Sequence, residues 1–374
     1  MNIWSISFAY RLGLGFHALS NEGAEGSNLM QPRRIDVGKV TYDGISGEII
    51  RRHILEHFVN ICRDEVIPML PLSEGLHPDR GLLGIRQKAK GLGVNKLTKA
   101  NPQDLYKAVR EVIKDCAVLD VGGYLAPFSA EEEVTVSESR PDKNAGIAEV
   151  APEAIFIANI AKIGGKSDGG APYTIKRDSV FDVAWLISEQ PQDLTITQHA
   201  AYRPSGQHSL FSQTMRSNIY GGIVRADLHR IGTDDYWYLQ SPQKRLAIGE
   251  REQRKRQITL IRAIADFISS PTGAKVAAWA PHVFLTEGTI LLSAGRTAPF
   301  VSPIKVCLND GNHPVQANSD YRQSMMNLAN NQKAWAWSFG SAKELLDAID
   351  EIIQTLEGWN GDQGQKGEAQ GARS

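Results

Sequence analysis

Apolar and polar residues alternate strictly near the start of the chain. Every second position from Trp4 to Ala18 is apolar, and the positions between them are small, polar or charged. A two-residue period over this length is typical of a β-strand with one face in the core. Since the alternation runs through Gly13 and Gly15, it predicts that both glycines lie inside the strand.

A helical spacing follows at residue 46. Ser46 is a typical N-cap, and Glu48 places a carboxylate in the first turn, where the helix dipole favours it. Ile50, Ile54 and Phe58 then recur at the spacing of one buried helix stripe. Similar patterns predict further helices at 103–115, 249–269 and 341–356.

Turn-forming residues divide the rest of the chain. Residues 20–34, rich in Gly, Asn and Ser, predict a long loop, and 78–99, rich in Gly and Lys, predict a mobile basic loop. Residues 129–150 are acidic and predict a surface insertion, whereas 358–374 contain too few apolar residues to fold. Strands are predicted at 116–127, 179–187, 217–231, 283–306 and 334–339, with an extended hairpin at 188–216. The order of these elements indicates an α+β sheet with helices on one face.

The composition is that of a globular, nearly neutral protein. Of 374 residues, 42% are hydrophobic and 22% are charged, and the formal net charge is -1. This balance argues against a uniformly basic nucleic-acid binder, although a basic groove can exist within a neutral total. The three cysteines are far apart, and the sequence shows no signal peptide and no apolar run near the ~20 residues of a membrane span. We therefore predict a cytoplasmic protein.

Charge is nevertheless segregated along the chain. Residues 80–110 contain eight Lys or Arg and one acid, whereas 131–153 contain seven acids and two bases. Each block, taken alone, is typical of a solvated surface face.

The segment Gly13-x-Gly15-x-x-Ala18 matches the glycine fingerprint of dinucleotide-binding folds. That fingerprint requires a strand, a tight turn and then a helix whose N-terminus meets the pyrophosphate. Here the strand pattern continues through the glycines, and Gly, Asn and Pro residues crowd the positions after Ala18. We therefore predict no nucleotide cofactor; tight NAD or FAD binding by the isolated protein would reverse this conclusion.

The two glycines have other interpretations. Gly13 and Gly15 share a predicted strand face with Arg11 and His17, so a low face could let an anionic polymer lie across it. The alternative is that a helix packs over a glycine patch. The stretch alone favours the packing interpretation.

A second candidate binding site lies at the predicted helix start. Ser46 and Gly47 open the helix, and free N–H groups at a helix N-terminus bind anions. Amides and guanidinium groups together could hold a backbone phosphate there, with ordinary surface arginines as an equal alternative. The arginines close to it in sequence are Arg33, Arg34, Arg51 and Arg52.

Signs of catalysis are few. The sequence contains no HExxH, P-loop or EF-hand motif, and no Ser/His/Asp or Cys/His set has a recognisable local context. Only His17 and His199 come into consideration as general acid or base groups, and a contact or surface role is more common for each. We therefore predict no catalytic residues and no metal site.

Several segments taken together resemble one protein family. FHALSNEGAEGSN at 16–28, QPRRI at 31–35 and GISGEIIRRHILEHF at 44–58 are followed by CAVLDVGGYLAP, RDSVFDVAW and SLFSQTMRSNIYGGIVRADLHRIG. The set resembles the backbone subunit of type I CRISPR interference (Cascade) complexes, Cas family seven, in the DevR-like branch of the RAMP superfamily. The resemblance covers most of residues 3–300, with insertions near 128–165.

This resemblance implies a modified ferredoxin-like (RRM-like) palm with inserted fingers and a hairpin thumb. The single palm domain would comprise residues 1–357, and 358–374 would form a disordered tail. The fingers would occupy about 60–170 and the thumb about 188–215.

The resemblance also implies a function without catalysis. Copies of the subunit would polymerise in a helical stack along the CRISPR guide RNA (crRNA) and present its spacer to a target DNA strand in antiviral defence. Other Cascade subunits and a recruited helicase-nuclease would be further partners, and no membrane would be involved. A guide of any sequence calls for phosphate contacts rather than base-edge readout. Segregated charge suits the complementary faces of head-to-tail self-association.

The implied RNA contacts fall into three groups. The segment from Asn21 to Arg52 matches contacts to the guide backbone, the hairpin matches the thumb, and the basic 86–99 segment matches the fingers. Together with Arg11 on the strand face, the predicted RNA-binding residues are Arg11, Asn21, Arg33, Arg34, Ser46, Gly47, Arg51, Arg52, Lys88, Lys90, Gln198, His199, Tyr202 and Arg203.

One enzymatic alternative remains open, a RAMP-type endoribonuclease that cleaves target or precursor RNA. Related subunits of type III complexes cut target RNA with a loop aspartate, and RAMP processing enzymes use histidine. Asp36 and Asp43 lie in the corresponding general region, without a firm match to such a loop.

Overall fold

The computed structural model contains two compact units. It describes residues 3–19, 21–22, 29–94, 102–128, 173–202, 208–240, 245–271, 281–295, 297–307, 311, 313–330 and 333–358. The first unit comprises 1–61, 180–231 and 251–374, and the second comprises 62–179 and 232–250. The predicted fingers at about 60–170 therefore fall almost entirely in the second unit, whereas the contribution of 232–250 was not predicted.

The strands, in chain order, are β1 Ile3–His17, β2 Asn21–Glu22, β3 Leu29–Val37, β4 Val40–Ile45, β5 Tyr124–Phe128, β6 Tyr173–Arg177, β7 Phe181–Val183, β8 Leu186–Pro191, β9 Thr195–Tyr202, β10 His208–Ala226, β11 His282–Ala294, β12 Ile304–Val306, β13 Val315–Ala317 and β14 Ala334–Phe339. The helices are α1 Gly47–Asp64, α2 Pro71–Glu74, α3 Arg80–Gly91, α4 Pro102–Asp115, α5 Ala117–Gly122, α6 Trp237–Gln240, α7 Glu250–Ser269, α8 Tyr321–Asn330 and α9 Ala342–Glu357. A short 3-10 helix, Leu228–Arg230, follows β10.

The first unit has the topology of a ferredoxin-like fold. The chain runs β1, α1, β8, β10, α7, β11, and these strands lie in the spatial order β11–β1–β10–β8 with antiparallel pairing throughout. This is the β-α-β-β-α-β arrangement, in which the first and third strands are central. β14 extends one edge of the sheet, and β4, β3 and β2 extend the other. The predicted α+β class and ferredoxin-like palm are confirmed.

β1 is a central strand that is buried on both faces, whereas its alternation predicted only one face in the core. Its even-numbered residues Phe8, Leu12 and Leu14 are fully buried on what we call the back face. The odd-numbered positions from Ser5 to Gly13 lie on the front face. β1 pairs through Gly13 with both neighbours, opposite Ile219 and Leu285, so the prediction that the strand continues through this glycine is confirmed.

Helices cover both faces of this sheet, so the prediction of helices on one face only is wrong. On the front face, Ala9 and Leu291 form a buried cluster with Tyr321 and Met325 of α8. On the back face, the Trp337 indole of β14 donates a hydrogen bond to Glu351 of α9 at 2.9 Å. The apolar residues of α1 and α7 are also fully buried and complete the core: Ile50, Ile54, Phe58, Leu260, Ile261 and Ile264.

Several predicted loops and strands are wrong. The predicted basic loop at 78–99 contains helix α3, and the predicted strand at 116–127 begins as helix α5. In α3, an added Cβ at Gly81 would lie 2.5 Å from Cβ of Tyr124, so this glycine permits helix packing instead of marking a loop. The predicted loop at 20–34 likewise contains β2 and the start of β3.

The second unit is held around one buried arginine. Arg177 on β6 donates to Asp120 of α5 at 2.5 Å and to Asp235 at 2.6 Å, and the Arg177 and Asp120 side chains are fully buried. The amide of Gly232 donates to the same Asp120 carboxylate at 2.9 Å. This network joins the two chain segments of the unit. The predicted acidic insertion at 129–150 and the predicted tail beyond Gly358 lie outside the described residues.

Candidate nucleic-acid interface

The predicted thumb is a hairpin of two strands. β9 pairs antiparallel with the first half of β10, with Gln198 opposite Ser212 and Tyr202 opposite His208. The side chain of Gln198 is exposed. The hairpin predicted for 188–216 is therefore confirmed, although its pairing begins at Thr195. Arg203 lies outside the described residues.

The hairpin pairs with β3, one of the strands that precede helix α1. Leu29 of β3 pairs in parallel with Ser212, on the edge of β10 that β9 leaves open. β2 pairs with β3, so that Asn21 lies opposite Pro32 and next to Arg33. We call β9, residues 208–215 of β10, β3 and β2 the outer strip. It brings the contacts predicted near Asn21 and those predicted in the thumb, including His199, onto adjacent strands.

The two arginines of the outer strip point in opposite directions. Arg33 lies opposite Gly44 and Arg34 opposite Asp43, and neighbouring residues of a strand face opposite sides of the sheet. On the front face, the Arg33 guanidinium carbon lies 5.4 Å from the ring centroid of Trp185. Arg34 is exposed at the back-face side. The sequence did not single out Trp185, because a tryptophan between two short strands is an ordinary core residue by pattern alone.

The start of α1 is a capped and buried helix N-terminus. The Ser46 hydroxyl accepts a hydrogen bond from the amide of Ile49 at 3.3 Å, as predicted for an N-cap. A Cβ on Gly47 would lie 2.2 Å from the Val183 carbonyl oxygen, and both Ser46 and Gly47 are buried. The first turn therefore packs against the backbone of β7. This geometry argues against the phosphate site predicted at Ser46 and Gly47.

Arg51 and Arg52 lie one turn further along α1. Arg52 forms an exposed ion pair with Glu56 at 3.2 Å, and Arg51 is half-buried. Exposed ion pairs of this kind contribute little, typically below about 1 kcal/mol, so Arg52 can exchange its partner for a phosphate. Contact of Arg51 and Arg52 with RNA stays a prediction.

Arg11 is held by two carboxylates on the front face. Its guanidinium donates to Glu189 at 2.5 Å and 2.7 Å and to Glu287 at 2.7 Å. Hydrogen bonding to Glu189 and then to Glu287 raises the pKa of Arg11 above its usual value. Arg322 also lies 3.9 Å from Glu287, so two cations and two carboxylates balance each other at this point. The charge of Arg11 links three strands of the sheet, and this arrangement argues against the predicted contact of Arg11 with RNA.

His17 leaves the face predicted for it. The β1–β10 register shifts between Leu14 and His17, and Phe16 adopts a positive φ of 52°. An irregularity of one residue exchanges the faces of all later side chains. His17 therefore lies on the back face, where its Nε2 is 2.8 Å from the Tyr220 hydroxyl.

A buried ionic network continues from His17. Arg216 lies opposite His17 on β10, its Nε is 3.7 Å from Asp43, and it donates a hydrogen bond to the Leu19 carbonyl. Burial, followed by the charge of Arg216, lowers the pKa of His17 well below its usual value, so the imidazole is neutral. Burial raises the pKa of Asp43, and the charge of Arg216 opposes this increase. The network fixes the chain at Leu19, two residues before the outer strip begins.

The glycines of β1 lie under an aromatic ring. A Cβ on Gly13 would lie 2.5 Å from Cε2 of Phe284, and one on Gly15 would lie 3.8 Å from Cδ1 of the same ring. Atoms from both sides of the ring lie against β1, so the ring spans the two glycines. Packing over Gly13 and Gly15 is therefore observed, but the predicted helix is wrong, because the ring belongs to the neighbouring strand β11.

Lys88 and Lys90 belong to the second unit. Both lie in the last turn of α3, and Lys88 forms an ion pair with Asp115 of α4. Lys90 is exposed. They are helix residues, not members of a mobile loop as predicted.

The described residues contain neither a candidate metal site nor a candidate membrane span. No three or more His, Cys, Asp or Glu side chains in these ranges are grouped so that they could hold a metal ion. Within the same ranges, no helix has both the length and the apolar composition to span a membrane.

Comparisons with known proteins place the chain among CRISPR-associated proteins. A family model described as "CRISPR-associated negative auto-regulator DevR/Csa2" matches residues 8–310. No curated protein matches the chain. One similar solved chain, described as "CRISPR RNA-guided surveillance complex, pre-nicking", is 12% identical, with a TM-score of 0.44, 94% of this chain covered and 100% of that chain covered. Another, described as "CRISPR RNA-guided surveillance complex", is 11% identical, with a TM-score of 0.40 and coverages of 94% and 99%.

Proposed function

Because this chain belongs to the CRISPR-associated DevR/Csa2 family, we propose that it binds crRNA as a backbone subunit of a type I (Cascade) complex. The family match confirms the family predicted from the sequence and supports this function. It spans residues 8–310, which include the whole outer strip. The proposal rests on this observation, that the family match includes the outer strip.

The outer strip is the surface that we assign to the RNA. It carries Asn21, Arg33, Arg34 and the hairpin residues Gln198, His199 and Tyr202 on adjacent strands. Its arginines supply phosphate contacts that do not depend on sequence, as a guide of variable spacer requires. Base pairing would then carry the specificity, as in other RNA-guided systems.

The partners follow from this assignment. We propose that further copies of the chain and other Cascade subunits bind alongside it on the crRNA. The exposed bases of the crRNA would pair with a target DNA strand, and a helicase-nuclease recruited by the complex would cut it. Cytoplasmic localisation belongs to the same proposal.

The decisive experiment is purification of the full-length chain with its nucleic acid. We expect RNA of defined length to co-purify, an absorbance ratio A260/A280 typical of a nucleoprotein, and elution from a sizing column far above the 41.1 kDa of one chain. Treatment with ribonuclease should return the protein to small species. A nucleic-acid-free chain that also fails to bind added single-stranded RNA would contradict the proposal.

We also propose that the subunit does not cleave RNA. Two facts support this: Asp43 and His17, both considered as catalytic candidates, are fully buried within one network. The exposed Asp36 accepts a hydrogen bond from Thr41 in the β3–β4 hairpin. Incubation of the assembled complex with complementary RNA and magnesium tests the point. Products cut at regular spacing would establish the endoribonuclease alternative instead.

A further inference from the structure

The front face beside the outer strip carries a tryptophan that is held in place and partly exposed. Trp185 joins β7 to β8, and its side chain is 40% exposed. It lies on the same face as Gly44, because a Cβ on Gly44 would be 3.1 Å from Cε3 of the indole. Glycine at this position therefore lets the ring approach the strand closely.

Arg33 completes the environment of this ring. Its guanidinium carbon lies 5.4 Å from the ring centroid, within the range of a cation–π interaction. The indole is consequently oriented before any ligand binds, between β4 on one side and a cation on the other. Preorganised aromatic groups bind with a smaller loss of conformational entropy than mobile ones.

An oriented, exposed indole beside a cation matches the chemistry of a single-stranded polynucleotide. Bases stack on aromatic side chains irrespective of their identity, because every base has a π-face. Phosphates next to the stacked base meet the guanidinium. A protein partner could also cover Trp185, but the positive charge directly over the ring favours a polyanion.

We propose that Trp185 stacks on an unpaired base of the bound RNA and that Arg33 contacts the adjacent phosphate. The inference rests on the proposed function and adds to it that the RNA crosses the front face of β3. From Arg33, β3 leads within four residues, about 13 Å at 3.3 Å per residue, to Leu29, which pairs with the thumb hairpin. One RNA strand of a few nucleotides can therefore contact both places.

The test compares Trp185→Ala with Trp337→Ala in full-length protein. Trp337 is a matched control, because it lies on the back face and is hydrogen-bonded to Glu351. The probe is a short fluorescein-labelled oligouridylate. Stacking on an aromatic side chain is worth about 1–3 kcal/mol per base, so we expect Trp185→Ala to weaken binding at least about fivefold. Trp337→Ala should change it less than about twofold.

A second probe separates stacking from charge. An abasic strand of equal length keeps the phosphates but offers no base. Wild type and Trp185→Ala should bind this abasic strand equally. Arg33→Ala should bind it more weakly than Lys343→Ala does. Lys343 is the control cation, because it lies on α9 and its side chain is 84% exposed. Equal loss of affinity on both probes for Trp185→Ala would overturn the stacking role.

Trp185→Phe is the control for misfolding, since it keeps an aromatic ring at this position. RNA should quench the tryptophan emission of wild type more than that of Trp185→Phe, and identical quenching would overturn the inference. If the wild type binds oligouridylate and Trp185→Ala binds it as tightly, the stacking proposal fails and the proposed function stands. If the wild type binds no RNA at all, the proposed function itself fails. The proposal would also be overturned if Trp185 were protected, and so covered by protein, in a protein complex that contains no RNA.

Discussion

The centre of the sheet and its outer strip carry similar polar residues but use them differently. On β1, Arg11 is held between Glu189 and Glu287, and His17 is buried against Tyr220. On the outer strip, Arg34 is exposed, and Arg33 lies over a partly exposed tryptophan. Arg11 and His17 therefore have their partners inside the protein, whereas the side chain of Arg34 is exposed and that of Arg33 is half-buried.

This difference follows from the position of each strand. A charge on a central strand is removed from water by neighbours on both sides and must find an internal partner to offset the cost of desolvation. A charge on an outer strand keeps much of its hydration and can exchange water for phosphate. The same residue types therefore stabilise the fold in one region, and we propose that they bind RNA in the other.

The largest effect is expected from the central region, on replacement of Asp43 by Ala. The change leaves the fully buried Arg216 without its carboxylate partner. Removing one member of a buried ion pair costs about 3–5 kcal/mol, so the free energy of unfolding in urea should fall by about this amount. Asp36→Ala is the control, because Asp36 is exposed and its loss should cost about 0.5 kcal/mol or less. Similar values for the two variants would show that the network is not buried as described.

A smaller effect is expected at Gly13. An added Cβ would lie 2.5 Å from Phe284 and 2.8 Å from Leu285. Overpacking of this kind costs about 1–3 kcal/mol, which the unfolding free energy of Gly13→Ala should show. At Gly311, where an added Cβ would meet nothing within 4 Å, the same substitution should be nearly neutral. If Phe284→Ala does not reduce the cost of Gly13→Ala, the ring does not occupy the glycine surface.

A third prediction contrasts Arg11 with Arg33 in RNA binding. Arg33→Ala should weaken the binding of single-stranded RNA and reduce the slope of log affinity against log salt by about 0.7, the value for one phosphate contact. Arg11→Ala should leave that slope unchanged and instead lower the free energy of unfolding, since two carboxylates lose their shared cation. A reduced slope for Arg11→Ala would restore Arg11 to the RNA surface.

The smallest effect concerns pH and the neutral His17. Its pKa is lowered in the folded protein, so below about pH 6.5 only the unfolded state binds a proton at this site. His17 therefore supports stability fully above that pH and progressively less as the pH falls, by at most about 1.4 kcal/mol per pH unit. Replacement by Gln removes this dependence. The stability difference between wild type and His17→Gln should shrink between about pH 6.5 and pH 5; a constant difference would mean that His17 is protonated in the fold.

The sequence predicted the parts of the fold that depend on periodicity. The alternation of β1, the N-cap at Ser46 and the helices near 103–115 and 249–269 all agree with the structure. The glycine-rich segments were misinterpreted, because Gly81 permits close packing of a helix and a glycine in sequence does not distinguish packing from a turn. The predicted face of His17 was wrong for a similar reason, since a bulge of one residue is invisible in an alternating pattern.

The candidate site was predicted in part. Asn21, the arginines of β3 and the hairpin lie on adjacent strands, as their resemblance to family contacts implied. The hypothesis that Arg33, Arg34, Arg51 and Arg52 serve one phosphate site used only their closeness in sequence. It did not account for strand alternation, which turns Arg33 away from Arg34. Trp185 could not be found from sequence, because the close approach of its ring to β4 depends on Gly44 of that strand. Whether the predicted residues bind RNA remains a prediction.

The contrast between the two regions can be measured directly by photocrosslinking. RNA substituted with photoreactive thiouridine is bound to the full-length protein, irradiated and digested, and the crosslinked peptides are identified by mass spectrometry. We predict crosslinks to β3, to the β9–β10 hairpin and to the peptide containing Trp185, and none to the β1 peptide containing Arg11 and His17. Crosslinks confined to β1 and Phe284, with the outer strip unmodified, would contradict the account.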